Sequence, residues 1–172
     1  MTIDSSSGKA ISGKEKLEAC TTLKEILEQA TDFERTARDF YADLAPKVSK
    51  KIRYLLDELV IEEQAHYDLF TELANDPEVA EQIKLEIATP PGNKRFSDCI
   101  QLPDLGDNPD DQSILQYALG REQAAMDQYS SLAENAPKGP LKDVFTFLAQ
   151  EETEHKNDLE KIYYEVVHSG GV

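Results

Sequence analysis

The sequence predicts an all-α protein, a four-helix bundle made of two helical hairpins that a long crossover joins. Three observations indicate this fold. Apolar residues recur at steps of three and four positions over four long stretches, as on the buried face of an amphipathic helix. Those stretches are rich in Leu, Ala, Glu, Gln and Lys, which favour helices. The eight prolines all lie between the stretches or at their ends.

The first hairpin is predicted in the N-terminal half of the chain. Its first helix covers about residues 22–46, where apolar side chains repeat at helical spacing until Pro46 ends the pattern. Its second helix covers about 49–74 and stops at the sequence NDP. Residues 1–20 are rich in Ser, Gly and Lys and show no apolar period, which predicts a flexible lead-in.

The second hairpin is expected after a crossover at 76–111, which contains TPPGNKRF, LPDLGDNPDD and a short predicted helix beginning at Pro77. The third helix covers about 112–135 and the fourth about 139–167, with APKGP between them. A connection this long suits a bundle whose second hairpin begins at the far end of the first. The folded domain is expected over residues 21–168.

The composition excludes several kinds of partner. A formal charge of −16 repels nucleic acid and anionic membrane surfaces, and it attracts cations. The simplest interpretation of this charge is a solvated acidic surface that aids solubility. No apolar run is long enough to cross a bilayer, and the polar start lacks the apolar core of a secretory signal, which favours a cytoplasmic location. Cys20 and Cys99 form no Cys-x-x-Cys motif and are interpreted as ordinary thiols.

The two hairpins repeat one pattern of acidic residues. The sequence EEQAH at 62–66 returns as EETEH at 151–155. At about 100° per residue, one Glu of each helix falls on the apolar face, and the second and fourth helices add a His three residues later. Glu62 and Glu151 fall at the edge of the apolar faces. The inward set is Glu34, Glu63, His66, Glu122, Glu152 and His155.

Four buried carboxylates require compensating charge. A single Glu on an apolar face is more often a boundary residue or half of an ion pair, but four together would cost several kcal/mol each without counterions. The predicted apolar faces contain no Lys or Arg. Two divalent cations would balance the four carboxylates, and the imidazoles would complete the ligand set. Residues at i and i+3 share a helix face, so each Glu-x-x-His can hold one metal while carboxylates bridge to the other.

Oxygen and imidazole ligands favour iron, with manganese or zinc as substitutes. Tyr41 and Tyr129 follow Glu34 and Glu122 by two helical turns on the same faces, as candidate hydrogen-bond donors near the site. A buried Tyr at this spacing also suits a plain core position. His168 has no partner at ligand spacing and is interpreted as an exposed cation at the helix end.

This ligand set is that of the ferritin-like di-iron and di-manganese carboxylate proteins. Together with the two tyrosines, it resembles the pattern of rubrerythrins over about residues 22–167. The resemblance implies a ferritin-like bundle around a non-haem di-iron centre. It also implies a homodimer or larger homo-oligomer, and either reduction of peroxide or oxidation of ferrous iron.

Two features depart from the rubrerythrin pattern. Rubrerythrins carry a C-terminal rubredoxin domain with paired cysteines, which this sequence lacks, so an external electron donor is expected. They also carry a further Glu three residues after the single Glu of the third helix, used when iron changes its ligand between redox states. Ala125 stands at that position here. This difference favours a six-ligand site closer to the ferroxidase type.

Three functions are consistent with these features. The first is a rubrerythrin-type oxidoreductase that reduces hydrogen peroxide or oxygen with electrons from ferrous iron. The second is a ferroxidase that gathers and oxidises ferrous iron, and the third is a non-enzymatic bundle with structural metals. The crossover allows the second hairpin to pack on the first or on a neighbouring chain.

Overall fold

The computed structural model describes residues 22–85 and 105–169, which confirm the predicted all-α bundle. Two helical hairpins of this one chain pack against each other. The helices are α1 (Leu23–Leu44), α2 (Lys50–Ala74), α3 (Asp111–Asn135) and α4 (Pro140–Ser169).

Side-chain caps set the start of two helices. Thr22 adopts an extended conformation before α1, and its hydroxyl oxygen accepts a hydrogen bond from the backbone N–H of Glu25 at 3.2 Å. Asp110 does the same before α3, accepting from the backbone N–H of Ser113 at 2.7 Å. Both caps satisfy a backbone donor that the first helical turn leaves without a partner.

The connection inside the first hairpin begins earlier than expected. The first helix was predicted to run to residue 46, but α1 ends at Leu44 and the chain tightens into a 3-10 helix at Ala45–Lys47. Pro46, within this 3-10 helix, has no backbone N–H to continue the α-helical ladder. Arg53 of α2 secures the connection by donating to the carbonyl of Ala45 at 3.0 Å.

Helices α1 and α3 face each other across the bundle and run in opposite directions. The Tyr41 hydroxyl reaches Glu122, and the Tyr129 hydroxyl reaches Glu34. Tyr41, late in α1, thus contacts the earlier part of α3, while Glu34, earlier in α1, contacts the later part of α3. Only antiparallel helices allow this pairing.

Two apolar clusters fill the ends of the bundle. One contains the first half of α1, the last turns of α2 and the facing parts of α3 and α4, including Leu27 and Phe145. The other contains the second half of α1, the first half of α2 and the start of α3, including Ile52 and Leu115. The Glu-x-x-His motifs of α2 and α4 lie between the clusters, at the middle of the bundle.

The clusters also explain the length of the crossover. The last turns of α2 pack with the last turns of α3, so the chain must return along the bundle before α3 begins. The short helix predicted at Pro77 is wrong in form, because hydrogen-bonded turns follow Asp76 and lead to a 3-10 helix at Gln82–Lys84. The Asp76 carboxylate accepts from the backbone N–H of Glu78 at 2.9 Å.

Several predictions concern residues outside the described part of the chain. These are the lead-in at 1–20, the central crossover at 86–104, Cys20 and Cys99. Within residues 22–85 and 105–169, no helix is both long and apolar enough to cross a membrane.

Candidate metal centre

The six inward residues predicted from the sequence meet at the middle of the bundle. Their four carboxylates are at most 1% exposed, and the two imidazoles are 4% and 8% exposed. Each helix contributes one Glu, and α2 and α4 each add a His. The residues are Glu34, Glu63, His66, Glu122, Glu152 and His155.

The donor atoms form two overlapping groups. Glu34 and His66 belong to the first group, and Glu122 and His155 belong to the second. Glu63 and Glu152 belong to both. Within each group the candidate ligand atoms all lie within 4.8 Å of one another. Two adjacent metal positions with two shared carboxylates fit this arrangement.

Four of the converging atoms are shielded from water and lie close to one another, but they do not meet hydrogen-bond geometry. They are one oxygen each of Glu34, Glu63 and Glu152, together with Nδ1 of His66. The same four residues form the first group of candidate ligands. His66 Nδ1 lies 3.3 to 3.5 Å from the three carboxylates. Buried polar atoms are normally satisfied, and one imidazole N–H cannot satisfy three carboxylate oxygens, so this convergence fits a bound cation.

The four buried carboxyl groups differ in pKa: those of Glu63 and Glu152 are raised, and those of Glu34 and Glu122 are lowered. Burial raises the pKa of Glu63 well above its usual range, and the charges of Glu34 and Glu152 raise it further. Burial and the neighbouring Glu122 raise the pKa of Glu152 to about 8. Burial also opposes ionisation of Glu122, but hydrogen bonds with Glu152 and His155 lower its pKa to about 2. Burial likewise opposes ionisation of Glu34, but hydrogen bonding with Glu63 and His66 outweighs burial and lowers the pKa of Glu34.

The two imidazoles respond to this acidic surrounding. Burial lowers the pKa of His66, but the close carboxylates of Glu152, Glu34 and Glu63 outweigh burial, so the pKa of His66 is raised above its usual value. His155 behaves in the same way through Glu122, Glu152 and Glu62. Without cations, protons on Glu and His therefore supply the positive charge that the cluster requires. Metal ions would have to displace those protons.

Tyr41 and Tyr129 each connect the hairpins. The Tyr41 hydroxyl donates to Glu122 Oε1 at 2.8 Å, and the Tyr129 hydroxyl donates to Glu34 Oε1. Both side chains are fully buried, and burial raises the pKa of each phenol well above its usual range. The tyrosines therefore stay protonated and act as hydrogen-bond donors to one carboxylate in each group.

Arg121 is a buried cation that the sequence pattern did not reveal. It is 1% exposed, donates to the Phe33 carbonyl at 2.7 Å, and lies 4.0 Å from the centre of the Phe33 ring. Burial would lower its pKa, but electrostatic interactions with Tyr41 and with the carboxylates of Glu63 and Glu122 raise it, so the guanidinium stays charged. The predicted apolar faces contain no Lys or Arg, but Arg121 enters the core from beside one of them. One guanidinium cannot balance four carboxylates.

Glu62 contacts a histidine of the centre, although the sequence predicted it only at the edge of the apolar face. Its Oε2 lies 2.7 Å from His155 Nε2, on the opposite side of the ring from the cluster. The Nδ1 atom of His155 faces Glu122 and Glu152 at 3.8 and 3.3 Å. A signal was available, because Glu62 directly precedes Glu63 in the repeated EExxH sequence. By contrast, His168 is exposed at the end of α4 and packs on Tyr164.

Comparison with known protein families agrees with this geometry. The family model described as Rubrerythrin matches residues 5–74 and 113–169, which is well over half of the chain. The chain belongs to the rubrerythrin family. No curated protein and no solved structure gave a significant match.

The rubrerythrin match includes all four helices and leaves out the crossover. It therefore covers every residue of the candidate centre. The position of the additional rubrerythrin Glu is occupied by Ala125, which is buried in the apolar cluster with Leu27 and Phe145. Within the described residues, the candidate ligand groups contain the six predicted side chains and no other.

Proposed function

We propose that this rubrerythrin is a non-haem di-iron oxidoreductase that reduces hydrogen peroxide or oxygen. The observation that carries the proposal is the pair of buried ligand groups sharing Glu63 and Glu152. A structural ion-pair network would bring each buried oxygen its own donor, whereas here one oxygen each of Glu34, Glu63 and Glu152 converges on the single Nδ1 atom of His66 and forms no hydrogen bond. Two divalent cations would satisfy both the charge and the open coordination.

The ligand roles follow from the grouping. Glu34 and His66 would hold one metal, Glu122 and His155 would hold the other, and Glu63 and Glu152 would be available to both. Iron is the preferred metal for this oxygen and nitrogen set, and manganese or zinc could substitute.

Two ferrous ions would supply the two electrons that, with two protons, convert hydrogen peroxide to two molecules of water. The protein's residues prepare the site for this chemistry. The buried carboxylates fix the position of the cations, and the hydroxyls of Tyr41 and Tyr129 hold Glu122 and Glu34 in place. The apolar clusters at both ends keep bulk water away from the centre. Repeated turnover would require an external electron donor.

Oxidation of ferrous iron for storage or delivery is the second candidate. The observation that favours it is Ala125, since α3 brings no second carboxylate to the centre beside that of Glu122. The acidic chain, with a formal charge of −16, would also raise the local concentration of ferrous ions.

Oxidation kinetics distinguish these candidates. The ferrous-loaded protein would be mixed with hydrogen peroxide and, separately, with oxygen, and absorbance would be followed by stopped flow. Faster oxidation by peroxide, complete at two ions per chain, supports the oxidoreductase. Continued oxidation by oxygen at several equivalents of iron supports the ferroxidase. No oxidation by either, with unfolding on metal removal, would indicate a structural metal instead.

Metal content tests the ligand set directly. We expect close to two metals per chain in protein from iron-supplemented cells, and a large loss in Glu152→Ala, because both metal positions use this carboxylate. Glu154→Ala is the matched control, because Glu154 lies two residues away on α4 but is exposed. Equal iron content in the two variants would count against the ligand assignment.

A homodimer or larger homo-oligomer in the cytoplasm remains part of the proposal. Its support is the exposed apolar surface of α2, where Ile61 is 70% and Tyr54 is 51% exposed. These residues are seven apart and so share one helix face. Light scattering on Ile61→Glu and on the unmodified chain would test whether this face joins two copies.

A further inference from the structure

The two histidines of the centre differ in what lies behind them. His155 Nε2 lies 2.7 Å from Glu62 Oε2, while its Nδ1 points to the shared carboxylate Glu152 at 3.3 Å. Glu62 comes from α2 and His155 from α4, so the contact connects the two hairpins. The Glu62 side chain is 44% exposed, so this contact connects the protein surface to a buried candidate ligand, His155.

The repeated sequence would place an equivalent contact on the other histidine. Glu62 in EEQAH corresponds to Glu151 in EETEH, so the equivalent pair is Glu151 with His66. Among the described residues, the ion pairs of His66 are with Glu34, Glu63 and Glu152, and none joins it to Glu151. The candidate metal ligands are thus nearly symmetric between the hairpins. The carboxylate contact on the outer ring nitrogen is present at His155 and not at His66.

An acceptor behind a metal-binding imidazole has a defined effect. When Glu62 accepts the proton on Nε2, that tautomer leaves the Nδ1 lone pair of His155 directed at the metal position. The carboxylate also holds the ring orientation and makes the imidazole a stronger electron donor. Loss of such an outer partner typically lowers metal affinity by about 10- to 100-fold.

We propose that Glu62 is a positioning residue that orients His155 and makes the two metal positions unequal in affinity. This inference rests on the proposed di-metal function. The metal position held by Glu122 and His155 would depend on Glu62, whereas the position held by Glu34 and His66 would have no such support from Glu151.

Stepwise binding of Co²⁺ to the metal-free chain tests the proposal, with visible absorption as the readout. The unmodified chain is expected to bind two ions. Glu62→Ala should weaken one of the two binding steps by about 10- to 100-fold and leave the other step unchanged. Glu151→Ala is the matched control from the other half of the repeat and should change neither step.

A second measurement reports on His155 alone. The chain contains three histidines, so the ring nitrogens of the Zn²⁺-loaded protein can be resolved by NMR, with exposed His168 as internal reference. We expect a slowly exchanging Nε2 proton on His155 in the unmodified chain. Glu62→Gln should retain this proton because the amide oxygen can still accept it, and Glu62→Ala should lose it.

The outcomes separate this inference from the proposed function. If the unmodified chain binds two ions and Glu62→Ala weakens both steps equally, or neither, the inference is wrong and the di-metal function stands. If Glu151→Ala has the same effect as Glu62→Ala, the asymmetry is wrong. If the unmodified chain binds no ion, the proposed function fails and the inference fails with it.

Discussion

Single residues determine how the bundle tolerates so much buried charge. Glu34, Glu63, Glu122 and Glu152 are nearly inaccessible and lie between two apolar clusters. Arg121 supplies one fixed positive charge from the same interior. The remaining charge must come from protons or from metal ions, and this choice connects the stability of the fold to the state of the site.

Replacement of Arg121 tests this connection. Arg121→Met would remove the fixed cation and the donor to the Phe33 carbonyl. We expect the metal-free protein to lose about 3 kcal/mol of unfolding free energy, because removing one partner of a buried charged group leaves the others uncompensated. The metal-loaded protein should lose less, since the metal ions still balance the carboxylates. Urea unfolding with a chelator and with Mn²⁺ would measure both losses.

The control for this prediction is Arg35→Met. Arg35 pairs with Asp32 and Asp39 at the surface, where its side chain is 48% exposed, and such pairs add little stability. Equal losses from Arg121→Met in the presence and absence of metal would show that Arg121 is not part of the charge balance of the site.

The residues that sequence reasoning identified and missed differ in one physical respect. Glu63 and His66 lie on the apolar face of a regular helix, so rotation along that helix was enough to place them inside. Arg121 and Glu62 lie beside that face, and their long side chains extend to residues of other helices. A long side chain can extend across a neighbouring helix, as Arg121 does to Phe33, and helical periodicity contains no information about that contact.

At the scale of helices, local chemistry and tertiary packing have separate roles. The starts of α1 and α3 follow side-chain caps that depend only on nearby residues, Thr22 and Asp110. The helix faces follow the apolar clusters at the two ends. Boundaries were therefore predictable to within a few residues, whereas the tightening at Ala45–Lys47 depends on how the first hairpin closes.

A cap variant separates helix stability from the site. Thr22→Ala should lower the unfolding free energy by about 1 kcal/mol, because the backbone N–H of Glu25 loses its acceptor. Thr22→Ser retains the acceptor oxygen and should restore most of that stability. Metal content should equal that of the unmodified chain in both variants, since Thr22 is more than three turns from Glu34. Thermal unfolding with parallel metal analysis measures both quantities, and loss of metal in Thr22→Ala would contradict this separation.

At the scale of the whole molecule, the crossover and the pairing of hairpins determine the site. The chain must return along the bundle between α2 and α3, and this return lets two antiparallel hairpins bring their Glu residues to one level. The internal repeat made this architecture predictable. The form of the segment directly after Asp76 was less predictable, since a capping signal alone does not continue a helix.

The whole-molecule prediction is that pH acts in opposite directions on the metal-free and metal-loaded protein. In the metal-free protein, the pKa of Glu152 is raised from 4.5 to about 8, and the pKa of Glu63 is also raised. A raised folded-state pKa contributes stability that is complete below the unfolded value of 4.5 and is lost as pH rises towards 8. The raised pKa values of His66 and His155 act in the same direction above their unfolded value of 6.5.

Glu122 and Glu34 have the opposite sign, but they act at lower pH. Their pKa values are lowered, to about 2 for Glu122, so their contribution is present above 4.5 and is lost only as pH falls below that value. The metal-free protein should therefore lose stability between about pH 5 and pH 8. In the loaded protein, metal ions displace the protons, so affinity and stability should rise over the same range.

Urea unfolding at several pH values, with a chelator and with excess Mn²⁺, would measure the two slopes. Glu152→Gln is the informative variant, because an amide keeps the shape of the side chain and cannot ionise. In the metal-free state it should flatten the fall in stability between about pH 5 and pH 8, which separates the buried cluster from the general repulsion of an acidic surface. Stability that rises with pH in the metal-free protein, or a slope unchanged by Glu152→Gln, would show that protons do not replace the cations in the buried centre.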